Sequence, residues 1–204
     1  MLSRAERTWA ARVEPDWTVT VVGDDRELAR AAMAGDREAF SLLVERHRRT
    51  VFQLCYRFVG RQEEARDLAQ DVFVRAWRGL RGFKEQSAFS TWLYRIGVNV
   101  CLNRAAAKAP RLDEMDPLDD TASADPRTGD PGEDIDRSRR AVLVRLAIAK
   151  LAPKQRATLI LRVYHELPHE RIAEILGSSV GASKANFFHA LANLKKLLED
   201  DPCI

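Results

Sequence analysis

The sequence predicts an all-α fold, with two small helical domains joined by a flexible acidic linker. Two observations support this prediction. Apolar residues recur at helical spacing through both halves of the chain, and the strict alternation typical of half-buried strands is absent. Between the halves lies a stretch rich in proline, glycine and acidic residues. We expect an unassigned N-terminal extension over residues 1–24, domains over 25–109 and 136–204, and the linker over 110–135.

The first domain is predicted to contain a short helix followed by three longer ones. Gly35 ends the short helix, and Asp36 can cap the next, which continues to Gly60. Its apolar stripe consists of Phe40, Leu43, Val44, Val51, Leu54, Cys55 and Phe58. The following helix is expected to bury Ala65, Leu68, Ala69, Val72, Phe73, Ala76, Trp77 and Leu80. The last begins near Ser90 and is expected to bury Phe89, Leu93, Ile96 and Val100.

The predicted linker differs from its surroundings in composition. Residues 110–134 contain four prolines and an excess of acid, so they cannot bury enough apolar surface to become ordered. Helical spacing returns at Ile135 and continues with Val142, Leu143, Leu146 and Ile148. A turn at residues 151–154 then leads into a helix whose apolar residues are Leu159, Ile160, Leu161 and Val163.

The end of the chain has the pattern of a helix-turn-helix. A short helix opens at Pro168, Gly177-Ser-Ser makes a turn, and a longer helix covers about residues 181–199. We expect this longer helix to bury Phe187, Leu191, Leu194 and Leu198. In such a unit the start of the second helix faces the major groove, and the residues at this place are Ser183, Lys184, Asn186 and His189. A plain helical hairpin has the same pattern.

Charge divides the chain into blocks. Residues 25–109 carry 16 Lys and Arg against 10 Asp and Glu, residues 110–140 carry 5 against 10, and residues 141–204 carry 9 against 6. Two basic blocks therefore flank an acidic one. Basic blocks suit a polyanion such as nucleic acid, although solvated helix faces have a similar composition.

Several classes of protein are disfavoured by the sequence. No apolar run is long enough to cross a bilayer, and we expect no membrane insertion and no signal peptide. Cys55 and Cys101 lie on apolar helix faces and Cys203 stands apart, which favours reduced core thiols and a cytoplasmic protein. No nucleophile–base pair, metal-ligand cluster or phosphate-binding glycine loop is evident, so we expect no enzyme activity, metal or cofactor.

Two further patterns are candidates for binding. In the segment from Asp67 to Arg75 the apolar residues point inward, which leaves an exposed ridge of Asp67, Gln70, Asp71 and Arg75. A ridge of this kind is usually only a solvated face. The segment Phe89-Ser-Thr-Trp-Leu-Tyr-Arg-Ile96, followed by Asn99, combines aromatic and polar residues in a way that suits stacking on unpaired bases. The alternative is that Trp92 or Tyr94 belongs to the core.

The order of these motifs resembles the extracytoplasmic-function sigma factors, the smallest members of the sigma-70 family. The resemblance rests on GDREAF, DLAQDVFVRAW, FSTWLYRI, a linker, LAPKQRATLILR and a terminal helix-turn-helix, over about residues 25–199. It implies a factor that binds core RNA polymerase and directs promoter recognition, local melting and transcription initiation. An anti-sigma protein is implied as a further partner.

The resemblance also implies a role for each segment. Residues matching Asp67, Gln70 and Asp71, to which we add Arg75, contact the β′ clamp helices of the polymerase; the β flap is a second contact. Residues matching the segment from Phe89 to Asn99 capture flipped bases of the −10 element, and here the candidates are Ser90, Thr91, Trp92, Arg95 and Asn99. The helix over 181–199 reads the −35 element, and the linker extends toward the active cleft.

The recognition helix departs from the family pattern. The usual sequence resembles GTVKSRLxRAR, whereas this chain has Gly181-Ala-Ser-Lys-Ala-Asn-Phe-Phe-His-Ala-Leu191. Lys184 is kept, but Asn186, His189 and Leu191 stand where the family often has arginine. Contacts to phosphate are therefore expected to be weaker, and the −35 sequence is expected to differ.

Two other functions fit parts of the sequence. A helix-turn-helix regulator that binds operators without polymerase would explain the C-terminal half, but not the ridge or the FSTWLYRI segment. A sigma-like decoy that binds an anti-sigma protein without DNA would explain the small number of basic residues in helix 181–199. Binding to core polymerase and to promoter DNA would distinguish these functions.

Overall fold

The computed structural model describes residues 24–107 and 131–199, with side chains from residue 140 onward in the second range. Its eight α-helices within these ranges are α1 (Asp25–Met33), α2 (Arg37–Val59), α3 (Gln62–Gly79), α4 (Phe89–Ala107), α5 (Pro131–Lys150), α6 (Pro153–Val163), α7 (His169–Leu176) and α8 (Val180–Glu199). A 3-10 turn, Leu80–Gly82, follows α3. No strand occurs in the described ranges, and the predicted all-α class is confirmed.

The predicted helix ends in the first domain are confirmed by their caps. The side chain of Asp36 accepts hydrogen bonds from the backbone N–H groups of Glu38 and Ala39 and so begins α2. Gly60 ends the same helix with a left-handed φ of 74°, a conformation that glycine adopts without steric cost. The short helix α1 lies before Gly35, as expected.

Helix α2 is the centre of the first domain, since it packs against α1, α3 and α4. Leu43, Leu54 and Phe58 of α2 are almost completely buried. The approach of α4 is close because Gly97 has no side chain; a Cβ atom there would lie 2.8 Å from Leu54 Cδ2. Cys55 and Cys101 are buried free thiols, as predicted. The neighbouring Cys55 side chain, and then burial, raise the pKa of the Cys101 thiol.

The second domain packs α5, α6 and α7 around α8. Pro153 occupies the first turn of α6, and Gly177 ends α7 with a φ of 60°. The described region therefore contains the predicted helix-turn-helix, formed by α7, the turn at 177–179 and α8. Helix α5 begins at Pro131, before residue 135 where we expected the linker to end. Residues 108–130 of the predicted linker and the extension over 1–23 lie outside the described residues.

Two predicted core positions are wrong. Trp77 is 39% exposed and Leu191 is 45% exposed. Trp77 lies on the outer edge of its apolar stripe, and its ring instead lies 4.9 Å from that of Phe40. On α8 the inner face is formed by Ser183, Phe187, Ala190, Leu194 and Leu197, a seam that leaves Leu191 one position outside.

The two domains pack against each other and share one continuous apolar core. Helices α6 and α7 contact α4, and α6 also contacts α2. The most deeply buried polar contact in this interface is made by Arg156 of α6, which is 4% exposed. Its Nη2 donates a hydrogen bond to the backbone carbonyl of Phe58 in the last turn of α2.

A larger side chain at Gly97 is expected to destabilise the first domain. The Gly97→Val change would force α4 away from Leu54 and lower the free energy of unfolding by about 1–3 kcal/mol. Urea denaturation followed by circular dichroism measures this change. Gly82→Ala is the control, because no atom outside its neighbours lies within 4 Å of the added Cβ. Equal unfolding midpoints for Gly97→Val and the unmodified chain would contradict the close packing.

Candidate protein and nucleic-acid interfaces

The ridge on α3 is present on the surface of the structure. Asp67 and Gln70 are exposed, and Asp71 is half-buried. A carboxylate oxygen of Asp71 lies 2.9 Å from Nη2 of Arg75, one helical turn further along. Val74, which the sequence analysis did not single out, is 38% exposed between these polar residues. An apolar side chain surrounded by polar ones matches the arrangement of a protein interface, whose centre is more apolar than its rim.

An open groove of about 630 Å³ borders this ridge between α2 and α3. Its apolar lining comes from Val44, Phe52, Ala69 and Phe73, and Gln70 belongs to both the groove and the ridge. Arg48, Arg49 and Arg66 line the groove together with a single acid, Glu45. The surface around the ridge is therefore apolar at its base and basic at its rim.

The segment from Ser90 to Asn99 contains both exposed and buried residues. Asn99 and Arg95 are exposed, Ser90 and Trp92 are half-buried, and Thr91 is completely buried. The expectation that Thr91 contacts a ligand directly is wrong for this structure, because Thr91 faces the core of the first domain. Its Oγ1 atom has no hydrogen-bond partner among the described residues.

Trp92 belongs to an aromatic cluster at the start of α4. Its ring centroid lies 5.2 Å from that of Phe83 and 5.7 Å from that of Phe89. The alternative that Trp92 is a core residue is therefore partly correct, since it packs on the core while part of the ring remains accessible. Tyr94 is also half-buried, but it faces the second domain rather than the interior of the first.

The loop before α4 is held in an unusual conformation. Glu85 has a φ of 53°, which is rare for a residue other than glycine. Its carboxylate accepts hydrogen bonds from Arg26 at 2.9 Å and from Arg30 at 2.8 Å, both on α1. These bonds, with that of Arg30 the larger effect, lower the pKa of Glu85 to about 2. This site was not predicted from the sequence, because Glu85 is more than fifty residues away from both arginines.

The second domain covers part of the Ser90–Asn99 segment. Arg171 Nη2 of α7 lies 3.3 Å from Ser90 Oγ, and Arg95 Nη2 donates to the backbone carbonyl of Glu174 at 2.8 Å. The Tyr94 hydroxyl lies 3.0 Å from Nδ1 of His165. Three side chains of α4, those of Ser90, Tyr94 and Arg95, therefore contact the second domain in this structure.

The predicted reading residues on α8 do not all face outward. Lys184 and His189 are exposed, Asn186 is half-buried and Ser183 is completely buried. The expectation for Ser183 is wrong, because its hydroxyl lies inside the domain, 3.0 Å from Nδ1 of His169. The inner seam of α8 begins with this serine, so its register differs from the predicted one. Phe188 takes the outward place and is 69% exposed.

Known proteins match both domains. The family model of sigma-70 region 2 matches residues 43–111, and that of sigma-70 region 4 matches residues 141–194. The RNA polymerase sigma-H factor of Pseudomonas aeruginosa is 34% identical over 183 residues, which cover 86% of this chain and 94% of that protein. The ECF RNA polymerase sigma factor SigW of Bacillus subtilis is 33% identical over 81% of this chain and 92% of its own.

This chain belongs to the extracytoplasmic-function group of the sigma-70 family. The resemblance stated from the sequence motifs is thereby confirmed. In this sigma factor, region 2 contains the α3 ridge, the loop at Glu85 and the start of α4, whereas region 4 contains the helix-turn-helix.

Two solved structures have the same fold. CnrH, in complex with the cytosolic domain of CnrY, matches with a TM-score of 0.63 and 28% identity, over 87% of this chain and 98% of CnrH. RpoE of Bartonella quintana, in complex with the anti-sigma factor NepR, matches with a TM-score of 0.56 and 20% identity, over 79% of this chain and 98% of RpoE. The second match supports the fold alone.

The described residues contain neither a candidate membrane span nor a candidate metal cluster. None of the described helices is long and apolar enough to cross a membrane. No group of three or more His, Cys, Asp and Glu side chains suited to a metal ion occurs within the described ranges.

The interface residue His165 is expected to make stability depend on pH. Burial, and to a smaller extent the charge of Arg57, lower the pKa of His165 to about 4. The unfolded chain therefore binds a proton as pH falls below about 6.5, whereas the folded chain remains neutral until about pH 4. The free energy of unfolding should therefore decrease by up to about 3 kcal/mol as pH falls across this interval, because of His165 alone.

Urea denaturation between pH 7 and pH 4.5 tests this contribution against the His165→Gln variant. Glutamine cannot titrate but can still accept a hydrogen bond from Tyr94, so the variant should lose less stability than the unmodified chain as pH falls. Parallel curves for the two proteins would show that His165 is not responsible.

Proposed function

We propose that this sigma factor binds core RNA polymerase through the α3 ridge and positions two promoter elements on its two domains. The ridge, consisting of Asp67, Gln70, Asp71 and Arg75 with Val74 at its centre, would contact the β′ clamp helices. The observation that carries this assignment is the exposed apolar Val74 among polar side chains, on a helix whose opposite face is completely buried. The β flap is a second polymerase contact, with region 4.

Promoter DNA would contact three places. The start of α4, with Ser90, Trp92, Arg95 and Asn99, and the adjoining loop would hold unpaired bases of the −10 element. Thr91 would support this surface from within, since it is buried. Helix α8 would enter the major groove of the −35 element, with Lys184 at a phosphate. The acidic linker would extend toward the active cleft of the polymerase, and local melting would follow from base capture.

The arrangement of the domains gives this function a conformational step. Ser90 and Arg95 are bonded to α7 of the second domain, so they are not free to contact DNA in this arrangement. The −10 and −35 elements are also about 25 base pairs apart, roughly 85 Å along B-form DNA. The two domains must therefore separate before both elements can be bound at once.

The remaining partners follow from the family. CnrH and RpoE of Bartonella quintana are each solved in complex with another protein, and for RpoE this protein is an anti-sigma factor. We propose that an anti-sigma protein also binds this chain. The protein would supply no catalytic groups of its own and would act in the cytoplasm, where the polymerase is located.

Removal of the ridge should prevent polymerase binding without unfolding the protein. The double variant Gln70→Ala/Asp71→Ala removes one amide and one carboxylate from α3, and we expect at least a tenfold loss of affinity for core polymerase. Such a loss corresponds to about 1.4 kcal/mol, a typical contribution of a central interface residue. Fluorescence anisotropy of labelled sigma factor titrated with core enzyme gives the affinity.

A matched control is available outside the ridge, at Asn103 on α4 and Glu199 on α8. Asn103→Ala/Glu199→Ala also removes an exposed amide and a carboxylate, and Glu199, like Asp71, forms an ion pair with a residue one helical turn away. This control should bind core polymerase normally. Equal affinities for the ridge variant, the control and the unmodified chain would exclude the ridge as the polymerase contact.

The loop at Glu85 is expected to affect promoter melting rather than polymerase binding. Glu85→Ala removes both ion pairs to α1 and loosens the loop before α4, so open-complex formation should fall several-fold. Permanganate reactivity of thymines in the −10 region measures melting. The control Gln86→Ala changes the adjacent exposed residue. An unchanged melting rate for Glu85→Ala would remove the loop from the proposed −10 surface.

A further inference from the structure

The outward surface of α8 is apolar where a DNA-reading helix usually carries polar groups. Phe188 is 69% exposed and Leu191 is 45% exposed, and they lie one helical turn apart. Ala185 and Ala192 are also exposed on this side of the helix. The Phe188 ring centroid lies 6.0 Å from that of His189, which is exposed as well. Together these residues form an apolar patch that the described part of the chain leaves uncovered.

Packing of the second domain does not account for this patch. The inner face of α8 is formed by Phe187, Ala190, Leu194 and Leu197, whose side chains pack against the core or are buried in it. Phe188 is adjacent to this seam in sequence but points to its outer side. Among the large apolar side chains identified as exposed in the described residues, Phe188 has the highest exposure.

Charge favours nucleic acid as the occupant of the patch. Helix α8 contains Lys184, Lys195 and Lys196, and its only acidic residue is Glu199 at its C-terminal end. The patch therefore lies on a helix with an excess of basic residues, the second helix of a helix-turn-helix, and Phe188 is the ninth of the twenty residues of this helix. In that motif the second helix lies in the major groove, where side chains from its N-terminal half can meet base edges.

Because the patch is apolar, it favours an apolar group on a base edge. Thymine is the only base that presents a methyl group in the major groove, and apolar side chains, phenylalanine among them, can contact it. Two of the four predicted reading residues are less available on α8, since Ser183 is buried and Asn186 is half-buried, whereas Lys184 and His189 remain exposed.

We propose that Phe188 determines −35 specificity by contacting the 5-methyl group of a thymine in the major groove. Leu191 borders the same contact, and Lys184 supplies a phosphate contact that does not depend on sequence. This inference rests on the proposed function, because it requires that α8 enters the −35 element.

The test uses holoenzyme assembled from the full chain and core polymerase. A promoter library with a randomised −35 region is first selected with the unmodified holoenzyme. Each thymine of the selected −35 duplex, on either strand, is then replaced by deoxyuridine, which lacks only the methyl group. At one position this replacement should weaken binding about three- to fivefold, the effect expected for one buried methyl group. Affinities are measured at one fixed salt concentration.

The Phe188→Ala variant completes a double-mutant cycle. It should bind the thymine duplex more weakly and should no longer distinguish thymine from deoxyuridine at that position. Because Phe188 is exposed, the variant is expected to fold normally, which circular dichroism checks. The control Val163→Ala truncates another exposed apolar residue of the same domain, outside α8. It should keep the discrimination.

Three outcomes would overturn the inference. The first is that deoxyuridine has no effect at any position, and the second is that Phe188→Ala keeps the preference for thymine. The third is that Phe188→Ala binds promoter DNA normally but loses affinity for core polymerase, which would make the patch a protein contact. If the unmodified holoenzyme selects no −35 sequence at all, the proposed function is also wrong. If it selects a −35 sequence but one of the three outcomes above occurs, only the role of Phe188 is wrong.

Discussion

The relative position of the two domains depends on one contact, which is made by the buried guanidinium group of Arg156. It reaches from α6 of the second domain to the backbone carbonyl of Phe58, at the end of α2, the central helix of the first domain. The last carbonyl groups of a helix have no partner within it, and they lie at the negative end of the helix dipole. The Arg156 guanidinium donates a hydrogen bond to one of these carbonyl groups, and its positive charge interacts favourably with the negative end of the dipole. The carbon atom at the centre of the guanidinium group also lies 5.3 Å from the centroid of the Phe58 ring.

The contacts around Arg156 differ in strength. Arg145 Nη1 lies 3.2 Å from the Tyr56 hydroxyl, and the guanidinium of Arg57 lies 4.2 Å from the centroid of the Tyr164 ring. Arg145 is buried and the other three side chains are half-buried, so breaking these contacts exposes apolar surface and leaves polar atoms to be solvated again. The bond between the exposed Arg95 and the Glu174 carbonyl, by contrast, competes with water and contributes little. The bond of Arg95 is therefore weaker than the contacts near the end of α2.

Most of the fold and part of the proposed surfaces could be predicted from local sequence signals. Asp36, Gly60 and Gly177 mark helix ends through capping chemistry that involves only near neighbours in the chain. The α3 ridge could be located because its buried face is formed by a regular run of alanine and valine. Thr91 and Ser183 were placed wrongly because successive helical residues differ by about 100° in direction, and a one-residue error in register moves a side chain from the surface to the core. The Glu85 site could not be predicted, because its two arginine partners are more than fifty residues away.

The sequence by itself therefore determined the all-α class, the helix ends, the helix-turn-helix and the family, because each depends on short-range periodicity, capping residues or the order of local motifs. Only the tertiary structure decided which side chains of α4 and α8 face outward, how Arg26 and Arg30 hold the loop before α4, and how the second domain covers Ser90 and Arg95. These features arise from packing between helices that are distant in sequence. Packing selects one rotation of each helix about its axis from several that the apolar pattern allows, because only that rotation fills the shared core without a cavity or a clash.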